Sequence, residues 1–211
     1  MKRPAQRGLP DQPGAFARQF VLDRLAGFEK DMGICLTPAP SKTRAGPTHA
    51  YFPALAACCG TLEYLSALYR GRINGVGWPD VARWAVRYLP QPDYGEDAVR
   101  VLVDAFRNAV AHRGIATGVW VDRNPGPDHG RRLTWKVLAD SRRPSVRIVS
   151  EEGKLQSDPP WPCAYTHRVH IHLKSMSVDI REGAVQYAED LLRETQLSDR
   201  FYGCMRQLYP Q

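Results

Sequence analysis

GEDAVRVLVDAFRNAVAHRG, residues 95–114, is the stretch whose reading decides how the chain folds. On a helix over 97–113, at about 100° per residue, Val99, Leu102, Val103, Phe106, Ala109 and Val110 fall on one side. Arg100, Asp104, Arg107, Asn108, Ala111 and His112 fall on the other. An apolar half of this width buries against a core. The polar half carries a cation, an amide and an imidazole around the small Ala111. Asp104, Asn108 and His112 stand at i, i+4 and i+8 and form a row. Arg107 and His112 lie about 140° apart around the axis, so a bent guanidinium or a second copy of the helix has to bring them together. Gly114 is a natural stop, because glycine tolerates the left-handed position after a helix.

Outward from this helix, 48–70 repeats the pattern. Thr48 opens a predicted helix to Arg70, with Pro53 in its first turn and Leu55, Cys59, Leu62, Leu65, Ser66 and Tyr69 as its seam. Glu63 lies off that seam, within reach of a cation such as Arg107. A first helix is predicted over 16–30, on Phe16, Phe20, Leu22, Leu25 and Phe28. A short one runs over 78–90, with Val81, Trp84, Ala85 and Tyr88 inward. Four helices with short connections predict an up-and-down bundle.

The hexad Arg107, Asn108, Ala109-Val110-Ala111, His112 resembles the signature of the HEPN superfamily: an Arg, a polar residue, three variable residues and a His, late in a bundle helix. The resemblance covers about 51–114. It implies an all-α bundle core and a homodimer with both motifs on a shared cleft. It further implies a metal-independent endoribonuclease with no cofactor, of the kind found in toxin–antitoxin pairs and antiviral defence, restrained by an antitoxin or regulatory protein. Under that expectation Arg107, His112 and Asn108 are catalytic, with Asp104 and Glu63 in support. The chemistry agrees. Attack of a ribose 2′-hydroxyl on its phosphate needs a base, an acid and positive charge on the phosphorane. Histidine titrates in the right range, and a guanidinium grips two phosphate oxygens. The alternative is a non-catalytic HEPN-like module that binds a nucleotide, RNA or protein.

The pattern changes at Thr117. Strands are predicted over 118–121, 132–138, 145–149 and 164–174, with a turn at 141–144 between the second and third. In the last, His167, Val169, Ile171 and Leu173 alternate with Arg168, His170, His172 and Lys174. The fold class is therefore mainly α with a β part: a helical bundle, a small antiparallel sheet inserted over 117–175, and C-terminal helices. Ser177 is placed to cap a helix over 178–196, with Ile180, Ala184, Tyr187, Leu191 and Leu192 as its seam, and 198–208 forms a last one. Residues 1–14 read as a flexible tail, leaving 15–211 as one domain.

A net charge of +7 suits a polyanionic partner. Arg131, Arg132, Lys136, Arg142, Arg143 and Arg147 cluster along the chain; with Arg168, His170, His172 and Lys174 they predict an RNA-binding sheet face, with Trp120 or Trp135 to stack on bases. His167, His170 and His172 have no carboxylate or cysteine at matching spacing, so no metal is assigned. The five cysteines form no CxxC pair and read as free thiols of a reducing, cytoplasmic setting. No signal peptide or membrane span is read.

Overall fold

The computed structural model describes residues 12–40, 42, 47–107, 118–155 and 161–210. The described residues form an α+β fold with six α-helices and a four-stranded mixed sheet. Helix α1 (Pro13–Leu36) begins with proline in its first turn, where a missing N–H costs nothing. Pro13 and Gly14 thus belong to a helix and not to the tail. A two-stranded ladder, β1 (Ala39–Pro40) with β2 (Pro47–Thr48), leads into α2 (Tyr51–Arg70). Gly71, at φ 85°, ends α2 in the left-handed conformation. Next come α3 (Trp78–Tyr88) and α4 (Glu96–Val101). The helical path continues from Leu102 to Arg107 as a π-helix.

The core is where these helices meet α5 (Leu173–Arg193) and α6 (Thr195–Leu208). Helix α5 packs along α1 and against α2 and α3. The seams predicted for α2 and α3 are buried, with Trp84 fully enclosed and Tyr69 half-buried against the core, whereas Leu192 of α5 is exposed. At Gly183 the α3–α5 crossing is so close that a Cβ would stand 2.7 Å from the Tyr88 carbonyl oxygen.

The sheet comprises β3 (Trp120–Val121), β4 (Arg132–Leu138), β5 (Val146–Leu155) and β6 (Cys163–His172), in the order β3-β4-β6-β5. It is mixed, not antiparallel, because β6 inserts between β4 and β5 and runs parallel to β4. The connection after β4 is therefore no hairpin turn. It is anchored elsewhere: the Ser145 N–H donates to Asp93 at 2.7 Å, and the Ser145 hydroxyl donates to the buried Asp179 of α5 at 2.6 Å. Strand β6 ends at His172, and α5 starts at Leu173, so Ser177 is no cap and Lys174 leaves the sheet.

Register assigns the two faces. Trp135, Val169 and Ile148 form one cross-strand row, and Val137, Ile171 and Val146 the next; both pack on the helical core. Trp135 meets Phe106 of the π-segment edge-on, 4.7 Å between centroids, and Trp120 is also packed on the core. Neither tryptophan is the exposed stacking platform expected. The other face carries Lys136, His170 and Arg147 in one row. No described helix is long and apolar enough to cross a membrane.

Candidate functional site

Helix α2 and the π-segment lie side by side, and the first residue of the hexad is fixed where they meet. Arg107 donates through Nε to Glu63 Oε2 at 2.5 Å and through a terminal nitrogen to Glu63 Oε1. This two-point pairing sets the plane of the guanidinium. The two side chains keep 30% and 25% of their exposure, so the pair sits at the surface and not in the core. Below it, one helical turn before Glu63, burial pushes the Cys59 thiol up to about 12, with Glu63 adding to the shift and Arg107 opposing it. That thiol is a packing group and not a nucleophile. Asn108 and His112 lie outside the described residues.

The helical wheel fails on the polar side of this helix. A π-turn rotates less per residue than an α-turn, so faces projected at a constant 100° drift beyond Leu102. Arg100 stands before the π-segment, where rotation is ordinary; the wheel places it toward solvent, yet it is buried at 9% exposure because Asp122, from outside the helix, draws it in. It donates to both oxygens of the fully buried Asp122, at 2.9 and 2.7 Å, and to Asp97 at 2.7 Å. Asp104 belongs to this neighbourhood. Burial raises its carboxyl, while Arg100 and a hydrogen bond from Asn124 oppose the rise. Glu63 is thus the carboxylate that grips Arg107, and Asp104 looks toward Arg100 and Asn124.

The ten residues predicted to bind RNA separate into two groups. Three are committed elsewhere, and Lys174 has left the sheet for α5. Arg131 is locked between Asp97, Asp122 and Asp128. Arg132 donates to the Ala164 carbonyl at 2.6 Å. Arg168 pairs with Glu151 at 3.0 Å and lies over the Tyr165 ring. The other six, Lys136, Arg142, Arg143, Arg147, His170 and His172, line a single cavity of about 260 Å³ on the outer sheet face. Asp140 hydrogen-bonds His172 Nδ1, a partnership that parallel pairing of Leu138 with His172 makes possible. Burial pulls the Asp140 carboxyl up, but His172 and Arg142 outweigh it and hold it below the ordinary range. His170 is shifted down, by burial first and by the Lys136 charge second. His167 alternates to the face opposite His170 and His172 and bonds Thr166. Among the described residues no group of three or more His, Cys, Asp or Glu side chains gathers as a metal site.

Sequence reasoning saw Asp140 as the one acid opposing the basic stretch and missed the other acidic partners. Asp140 meets His172, Glu151 meets Arg168, and Asp93 and Asp179 meet Arg143 through the sheet register and the packing of α5, which spacing along the chain does not show. A larger cavity of about 510 Å³ lies between α1 and α2, away from these groups and largely apolar in its lining. Compared with family models, curated proteins and solved structures, the chain matches none.

Proposed function

We propose that the protein is a metal-independent endoribonuclease of HEPN type, built on an up-and-down bundle of α1 to α4 and acting as a cytoplasmic homodimer. The observation that carries this reading is the Glu63–Arg107 pair, which fixes the first residue of the hexad at a surface between two helices. In this reading Arg107 stabilises the charge that grows on the phosphorane as the 2′-hydroxyl attacks. His112 handles a proton, and Asn108 orients the imidazole or holds a phosphate oxygen. One histidine is not base and acid in the same step, so two motifs facing each other across a two-fold axis supply both. The cations of the outer sheet face hold the RNA. Uncontrolled RNA cleavage is toxic, which places the protein in a toxin or defence setting with an antitoxin or regulatory partner.

The test uses a tRNA pool in EDTA. Wild type is expected to leave 2′,3′-cyclic phosphate ends, and Arg107→Ala and His112→Ala to be folded and inactive. Undiminished cleavage by either variant overturns the assignment. Glu63 also favours a second reading, since its charge neutralises Arg107 and ties α2 to the motif helix. That is the non-catalytic RNA- or nucleotide-binding module, for which wild type binds RNA and leaves it intact.

A further inference from the structure

Lys136 on β4, His170 on β6 and Arg147 on β5 stand directly opposite one another in one cross-strand row. Lys136 and Arg147, on either side of the one imidazole, already gather positive charge on this face. The row is flanked by further cations, Arg142 and Arg143, from the turn between β4 and β5. The carboxylates facing this group are few and occupied. Asp140 serves His172 and, at 3.5 Å, Arg142. Glu151 serves Arg168 at 3.0 Å and stands 4.0 Å from His170 Nε2. Asp179 and Asp93 hold Arg143, at 2.5 and 3.7 Å. Among the described residues, neither Lys136 nor Arg147 has a carboxylate partner. His172 is a built element of the site: its side chain is 9% exposed, and Asp140 holds Nδ1, which leaves Nε2 as the ring's other polar atom.

We propose that this cavity binds the terminal phosphate of an RNA chain, a phosphomonoester at one end, at a site separate from Arg107. A monoester carries about −1.5 to −2 charge and three strong acceptor oxygens, where a backbone diester carries one charge and two free oxygens. Lys136, Arg147 and Arg142 supply more donors than a diester can use. The turn residues Arg142 to Pro144 wall one side, so the concavity surrounds a group and does not track a strand. Its volume of about 260 Å³ lies just under the ~300–1,000 Å³ of sites for whole small molecules and suits a phosphate with its sugar. This inference deepens the RNA-binding half of the proposed function and is independent of cleavage.

The test is fluorescence anisotropy with the full chain and a short 2′-O-methyl RNA, which 2′-hydroxyl attack cannot cleave. The RNA carries a 5′-phosphate, a 3′-phosphate or hydroxyls at both ends, and the dye sits on the base in the middle. One phosphorylated form is expected to bind about tenfold more tightly than the hydroxyl form, and which form does so identifies the end. Lys136→Ala and Arg147→Ala, both surface changes, are expected to erase the difference, and Arg107→Ala to keep it. Equal binding of all three RNAs, or a preference that survives in both sheet variants, overturns the proposal. Loss of cleavage chemistry in Arg107→Ala is read separately, so either idea can fail without the other.

Discussion

Glu63 pulls on one side of Arg107 in a way that a phosphate would have to share. If the pair positions a catalytic guanidinium, Glu63→Gln is expected to lower kcat for RNA cleavage about tenfold with KM unchanged, because the proposed function puts the ground-state RNA contacts on the sheet. Stopped-time kinetics over a range of RNA concentrations measure the split; a change confined to KM contradicts the positioning role. Asp122 supports a second prediction. Burial pulls its carboxyl up, but Arg100, the Asn124 N–H and Arg131 outweigh that and hold it at about 2. A folded-state value below the unfolded one, ~3.9, contributes stability that is complete above about pH 5 and is lost progressively as pH falls through ~3.9 toward 2. The contribution is about 2–3 kcal/mol. Denaturant titrations between pH 5 and 2 are expected to show this slope in wild type and to lack it in Asp122→Asn. That variant also leaves Arg100 buried without its main partner, at a cost of about 3–5 kcal/mol at pH 7.

Helix interiors in this protein carry glycines of two opposite kinds. At Gly183 an added methyl meets the Tyr88 carbonyl at 2.7 Å and the Trp84 ring at 3.2 Å. Gly183→Ala is expected to push α5 off α3 and to cost about 1–3 kcal/mol. At Gly27 in α1 and Gly60 in α2 a methyl meets nothing within 4 Å. There alanine removes backbone freedom from the unfolded chain, and each change is expected to stabilise by about 0.5–1 kcal/mol. Thermal melts of the three variants check the signs. The hydrophobic pattern located these helices without distinguishing the glycines, since periodicity records which face is buried and not how closely two axes approach. The same limit explains the sheet. Alternation in β6 correctly separated Val169 and Ile171 from Arg168 and His170. It carried no information on which strand lies beside which, and the turn chemistry at 141–144 pointed to a hairpin that does not form.

Across the whole molecule, the charge of +7 is not spread evenly. Arg100 and Arg131 are consumed inside the buried network with Asp97 and Asp122, while Lys136, Arg142 and Arg147 remain on the outer sheet face. RNA affinity is therefore expected to fall steeply with salt. Each sheet cation that neutralises a phosphate contributes about 0.7 to the slope of log affinity against log salt for a single strand, and Arg131→Ala is expected to leave that slope unchanged. A flat dependence removes the sheet as the RNA surface. Light scattering tests the two-fold arrangement that the proposed mechanism requires; a strictly monomeric, fully active protein contradicts it.

The amino-acid sequence by itself determined the helices whose apolar seams repeat at 3.6 residues, the change to β-structure after Thr117 and the hexad that begins at Arg107. Each of these is local, set by side chains a few positions apart on one element. Only the tertiary structure decided the rest. It chose Glu63, not Asp104, as the partner of Arg107, since α2 and the π-segment meet through packing and the π-turn shifts the polar face. It inserted β6 between β4 and β5, and so set Lys136, His170 and Arg147 in one row and brought Asp140 to His172. Cationic residues are visible in any sequence; which of them keep their charge for a partner depends on carboxylates that folding alone brings near.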